Sequence, residues 1–139
     1  MSTHDLSTLK AGDPLPTLTT GPITPLTLAL FAGGSGDHNP IHVDKAFAAS
    51  AGFPDVFAHG MLSMAYLGRA LTDWAGATAV RQFGVRFAAI TPLGATVACD
   101  GIVEQIVEQK GERLAKLTLR ATVVDGSVTL VGDALVRIG

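Results

Sequence analysis

The chain has 139 residues, of which 47% are hydrophobic and 16% are charged. This balance excludes an intrinsically disordered chain, and the length predicts a single domain over residues 1–139. A net charge of −2 without a basic run excludes a typical nucleic-acid partner, and the lone Cys99 excludes an internal disulfide. No signal peptide or bilayer-length apolar run is visible, so we expect a soluble, cytoplasmic chain with no membrane partner.

The first third of the chain predicts short elements. Residues 6–23 are rich in glycine and proline, which indicates irregular structure with at most a short edge strand. Thr24-Pro25 is typical of a helix start, and we expect this helix to end at Gly33-Gly34. A loop over residues 35–43 follows, and a second short helix is predicted over residues 45–51.

The third predicted helix, over residues 61–75, is apolar on all sides from Gly60 to Gly68, which is typical of a buried helix. After Gly76 the hydrophobic period changes to two, and strands are predicted around the runs 85–89, 95–109, 114–125 and 128–138. The pairs Lys110-Gly111 and Asp125-Gly126 are typical of two-residue hairpin turns. The simplest way to bury both kinds of element is an antiparallel sheet wrapped around the long helix.

The polar residues that could carry chemistry are concentrated in one region. They are Ser35, Asp37, His38, Asn39 and His42, followed by His59-Gly60. A metal site at His38 and His42 is disfavoured because Pro40 interrupts the helix that their spacing would need. A dinucleotide loop at 34–36 lacks both the third glycine and the preceding strand, and Ser35 lacks the turn typical of a serine hydrolase. Asp37 and Asn39 as simple turn formers remain an alternative.

The same region supports paired acid–base chemistry. Asp37 and His42 lie five residues apart on a tight loop, so both side chains can face a single water molecule. At the start of the buried helix, Gly60 offers a backbone N–H that has no intrahelical acceptor and no Cβ in front of it. Such an N–H can stabilise a developing oxyanion, and the apolar helix beside it suits an acyl group.

Residues 36–42 read G-D-H-N-P-I-H, and residues 59–61 read H-G-M. Together they resemble the MaoC-like (R)-specific enoyl-thioester hydratase family, and the match is tight over residues 28–68 and looser through 85–94. The resemblance implies an α+β hot-dog domain, in which a long antiparallel sheet surrounds a central helix and a short helical overhang carries the active-site loop. It also implies a homodimer, or a heterodimer with a related subunit.

The resemblance further implies the activity, which is the reversible hydration of trans-2-enoyl thioesters to (R)-3-hydroxyacyl thioesters. Asp37 and His42 match the catalytic dyad, Asn39 matches the residue that orients it, and Gly60 matches the oxyanion N–H. No metal or redox cofactor is implied, and the acyl group is carried by coenzyme A or acyl carrier protein. The alternatives are a non-catalytic acyl-binding subunit of a heterodimer and a hot-dog thioesterase.

Substrate contacts are predicted along the third helix. Helical periodicity places Met64, Gly68 and Leu71 on roughly one face after Gly60, where an acyl chain could run. The alternative for Gly68 is close packing of a strand against the helix. Arg86 is a candidate contact for a carrier phosphate, although a strand arginine is more often solvated or ion-paired. Finally, a mean hydropathy of +0.38 favours oligomerisation, which would cover apolar surface.

Overall fold

The computed structural model describes residues 4–139. It contains three α-helices, which we number α1 (Pro25–Ser35), α2 (Lys45–Ser50) and α3 (Gly60–Ala75). Short 3₁₀ turns lie at Pro40–His42 and Ala77–Ala79. The five strands are β1 (Leu18–Thr20), β2 (Val80–Phe87), β3 (Val97–Gln109), β4 (Glu112–Val123) and β5 (Val128–Arg137).

The strands form one antiparallel sheet in the order β1-β3-β4-β5-β2. The β3–β4 hairpin turns at Lys110 and Gly111, whose φ angles of 50° and 78° fit the predicted two-residue turn. The β4–β5 hairpin differs from its prediction because residues 124–127 separate the two strands and Asp125 adopts a φ of 61°. A hydrogen bond from Gly126 N–H to Val123 O, 2.8 Å long, closes this longer turn.

The sheet wraps around α3, which contacts all five strands. Leu67 and Leu71 of α3 are fully buried, and burying a leucine of this kind contributes roughly 1.5–3 kcal/mol. Strand β4 shows the predicted alternation: Leu117 and Leu119 are buried, whereas Lys116, between the buried Ala115 and Leu117, is exposed. The α+β class and the wrapped helix are therefore confirmed.

Several predicted boundaries were wrong. Helix α1 continues through the glycine pair to Ser35, because Gly36, with a φ of 79°, supplies the left-handed cap and its N–H binds Ala32 O at 3.1 Å. Strand β2 begins at Val80 and ends at Phe87, so it only overlaps the predicted run at 85–89. Within residues 4–139, no helix combines the length and apolar character needed to cross a bilayer.

Candidate active site

The loop after α1 is folded by its own short polar side chains. Ser35 Oγ accepts a hydrogen bond from Asp37 N–H at 3.2 Å, and Asp37 Oδ1 accepts one from Asn39 N–H at 3.2 Å. Asn39 Oδ1 in turn accepts from Ile41 N–H at 3.1 Å, at the start of the 3₁₀ turn. Such bonds, from a side chain to the backbone two residues later, fix a tight turn. Asn39 thus contacts the Asp37 carboxylate through its backbone N–H, and its orienting role stays a prediction.

His42 ends the 3₁₀ turn and points into the protein, where it is 9% exposed. Its Nδ1 lies 2.7 Å from the carbonyl oxygen of Phe57. Because a carbonyl oxygen only accepts, Nδ1 must carry the proton. In the neutral ring, Nε2 therefore keeps its lone pair and can act as a base.

The side chains of Asp37, His42 and His59 converge. One carboxylate oxygen and one nitrogen from each ring all lie within 4.8 Å of one another. Asp37 is exposed at the mouth of the cluster, whereas both histidines are buried. The structure thus brings the predicted pair Asp37 and His42 together, and their catalytic roles stay a prediction.

His59 is the member of the cluster to which the sequence analysis assigned no role. Its ring stacks on that of His42, with centroids 3.9 Å apart and planes tilted by 24°. Its Nε2 lies 3.2 Å from the backbone carbonyl oxygen of Asp37, to which it donates a hydrogen bond. Burial lowers the pKa of His59 below its ordinary value, so this ring is neutral at physiological pH. The sequence signals for His59 were its place in the H-G-M motif and its position directly before Gly60.

The stacking of the two rings disfavours a shared metal ion. A histidine binds a metal through a lone pair that lies in the ring plane, at about 2.0–2.1 Å for zinc. The rings of His42 and His59 are nearly parallel and 3.9 Å apart, so lone pairs in their planes do not converge on one ion. The arrangement suits proton transfer at the cluster better than ligation of one ion.

The N-terminus of α3, beside the cluster, has no side-chain cap in the part of the chain that the structure describes. In contrast, Thr24 caps α1 and Asp44 caps α2. The N–H of Leu62 donates to His59 O at 3.0 Å, whereas that of Gly60 has no intrahelical acceptor and is available to a ligand oxygen. Packing also explains why position 60 is a glycine, since a Cβ atom there would lie 2.8 Å from the ring of Phe87.

An open groove of about 330 Å³ adjoins this helix start. Its lining is largely apolar and comes from the segment before α3 and from the end of β2 and the turn after it. The lining residues are Phe57, Ala58, Gly60, Phe87, Ala88, Ala89, Ile90 and Thr91. The groove gives a ligand access to the N-terminus of α3 from solvent.

The predicted substrate contacts lie along α3 and β2. A Cβ atom added to Gly68 would lie 3.3 Å from Cε2 of Phe83, so a strand side chain packs closely over this glycine. Met64 is half-buried against the core, and Leu71 is fully buried within it. Arg86 is exposed on β2. Packing explains Gly68 and Leu71, and the substrate contacts stay a prediction for all four residues.

Comparison with known proteins decides the family. The family described as "MaoC like domain" matches this chain over residues 8–125. The chain belongs to the MaoC-like family. It is 35% identical over 113 residues to an (R)-specific enoyl-CoA hydratase of Rhodospirillum rubrum, an alignment that covers 78% of this chain and 75% of the relative. It is also 36% identical over 104 residues to enoyl-CoA hydratase ChsH3 of Mycobacterium tuberculosis, which covers 73% of this chain.

A solved structure matches this chain in fold over nearly its whole length. The unliganded R-hydratase PhaJ1 from Pseudomonas aeruginosa superposes with a TM-score of 0.83 and 28% identity, covering 95% of this chain and 83% of that one. This likeness confirms the hot-dog architecture. The lengths of the relatives differ, and this chain spans only 34% of ChsH3.

Proposed function

We propose that this MaoC-like chain hydrates trans-2-enoyl thioesters reversibly to (R)-3-hydroxyacyl thioesters. The observation that carries the proposal is the placement of an exposed carboxylate and a buried imidazole, from Asp37 and His42, in one cluster beside an uncapped helix N-terminus. The names of the enoyl-CoA hydratases that resemble it support the same reaction. This reaction is that of a hydro-lyase.

His42 is the better base of the dyad because Nδ1 is committed to the Phe57 carbonyl and Nε2 is left with its lone pair. In the hydration direction, Nε2 takes a proton from water as the water oxygen bonds to Cβ of the enoyl group. Asp37 accepts this proton from His42 and passes it to Cα. Both groups of the dyad thus end as they began, and the net change is the addition of one water.

The electrons of the breaking Cα–Cβ double bond move toward the thioester carbonyl oxygen as water adds. The N–H of Gly60 at the N-terminus of α3 stabilises the resulting enolate oxygen. A buried helix suits this role because its dipole places partial positive charge at that end without a side chain that could react. The reaction as written requires no metal and no redox cofactor.

The acyl chain would extend from Gly60 along the predicted face of α3, past Met64 toward Gly68. Leu71 lies eleven residues after Gly60, or roughly 16 Å along the axis at about 1.5 Å per residue. Only a long acyl chain would reach that far. Arg86 is assigned to a phosphate of the coenzyme A or acyl-carrier-protein arm.

We propose a homodimer, or a heterodimer with a related hot-dog subunit, as the working assembly. Strand β2 lies at the edge of the sheet, and an unpaired edge is a natural place for a second chain to pair. Large apolar side chains are also exposed on α1, at the start of α3 and at the end of β2, namely Leu26, Leu30, Met61 and Phe87. A partner that covers these side chains would bury apolar surface that a monomer leaves in water.

A crotonyl-thioester assay tests the proposed function. The purified chain should deplete the enoyl absorbance of crotonyl-coenzyme A without releasing free thiol, and the product should be the (R)-3-hydroxy thioester. Release of thiol would instead indicate a thioesterase. Binding of the thioester without either change would indicate a non-catalytic acyl-binding subunit.

A further inference from the structure

His59 touches both members of the proposed dyad. The Nε2–H at the edge of its ring donates to the backbone carbonyl of Asp37, and the face of the ring stacks on His42. The edge of a third ring, that of Phe31 from α1, packs against it with centroids 4.9 Å apart. The imidazole is 1% exposed, so these neighbours fix its position.

We infer that His59 is a positioning residue for the hydration reaction. Its N–H holds the backbone of Asp37, and its ring face holds the plane of His42, so that the carboxylate and the free Nε2 of His42 face the same water. This inference rests on the proposed function. A small displacement of either group would be costly, because misplacing a reacting group by about 1 Å can lower a rate by about 100-fold.

A purely packing role does not explain why position 59 is a histidine. The second ring nitrogen of His59, Nδ1, is buried and has no hydrogen-bond partner among residues 4–139. A buried, unpaired nitrogen costs stability, and phenylalanine would fill the same space without that cost. What phenylalanine would lack is the N–H that reaches the Asp37 carbonyl.

The charge state of His59 fits the same role. The titratable groups that act on it are Asp37 and His42, and burial keeps its own ring neutral. A neutral ring does not repel the imidazolium that His42 forms when it accepts the proton of water. His59 therefore supports the charged intermediate state of the dyad without competing for its proton.

Two substitutions separate positioning from packing. His59→Phe keeps an aromatic ring and removes the N–H, whereas His59→Gln keeps a flat amide and an N–H near the original Nε2. We expect His59→Phe to lower kcat at least ~10-fold with KM changed less than ~3-fold, and His59→Gln to recover at least ~3-fold of that loss. The thermal midpoints should show the opposite order, with His59→Phe the more stable variant.

The matched control is His38→Phe, which makes the same replacement at an exposed histidine beside Asp37. Its kcat should stay within ~2-fold of wild type. If activity instead follows the thermal midpoints, with His59→Phe more active than His59→Gln, the positioning role is overturned and a packing role replaces it.

Two further measurements keep the result unambiguous. Asp37→Asn is assayed in parallel, and if it retains turnover the proposed function itself has failed. If Asp37→Asn is inactive while His59→Phe keeps wild-type kcat, only the positioning role fails. Long-range ¹⁵N–¹H spectra of the wild-type protein at neutral pH should show His59 with its proton on Nε2, and a proton on Nδ1 would overturn the inference without any variant.

Discussion

Replacing His42 by asparagine removes the proposed base while keeping its structural hydrogen bond. The Nδ2 of asparagine occupies nearly the same position as Nδ1 of histidine, so it can still donate to the Phe57 carbonyl, which lies 2.7 Å from Nδ1 in the wild type. Loss of a positioned base lowers kcat by at least ~100-fold. That factor corresponds to about 2.7 kcal/mol of activation free energy at 25 °C.

Stability should separate three variants that share this loss of activity. His42→Ala leaves the Phe57 carbonyl unpaired in a partly buried site, which costs up to about 1–3 kcal/mol, and it also loses the stack on His59. His42→Asn keeps a donor to that carbonyl and loses the ring contacts with His59 and Phe57, and Asp37→Asn changes an exposed carboxylate. We therefore expect the thermal midpoint to fall most for His42→Ala, less for His42→Asn and little for Asp37→Asn.

The assay follows the enoyl absorbance of crotonyl-coenzyme A, and differential scanning fluorimetry gives the midpoints. Wild-type turnover in either His42→Asn or Asp37→Asn would refute the proposed dyad. A His42→Ala midpoint equal to that of wild type would refute the buried hydrogen bond as described. Because His42 is buried and Asp37 is exposed, the two halves of the dyad should differ in their effect on stability.

Three other predictions follow from the structure. Because Phe83 packs on Gly68, Gly68→Leu should lower the thermal midpoint and all activities together, whereas selective loss of eight-carbon substrates with four-carbon turnover intact would instead support the acyl-pocket assignment. Burial raises the pKa of Cys99 to about 11, so the folded protein should resist a thiol reagent at neutral pH, and unfolding in denaturant should expose the thiol. Light scattering at micromolar concentration should give a dimer, and a 14.3 kDa particle would contradict the proposed assembly.

The hydrophobic period predicted the strands well because burial on one face of a sheet repeats every two residues. In β4, Leu117 and Leu119 face the core, as their alternation with Lys116 predicts. Helix ends were harder, since Gly33 and Gly34 suggest a stop but lie on an exposed helix surface that tolerates them. The actual end depends on the left-handed backbone of Gly36, which composition alone does not reveal.

The site was predictable where its residues are close in sequence. Asp37 and His42 lie on one short loop, so their convergence follows from the turn that Asn39 helps to form. The stack of His59 on His42 depends on how α3 packs against that loop, and spacing along the chain does not encode a distance of that kind. Likewise, periodicity placed Leu71 on the side of the helix predicted to face the acyl chain, and the structure adds that this residue is fully buried.

The strand order has a consequence for how the protein forms during synthesis. Among the described residues, strand β2 pairs with β5 alone, although β3 and β4 lie between them in the chain. As the polypeptide leaves the ribosome, α3 and β2 emerge before the strand that will hold β2, and contacts so distant along the chain are typical of slow folding. The apolar surface of α3 thus stays incompletely covered until β5 has emerged, and docking of that one strand joins β2 to the rest of the sheet around the helix.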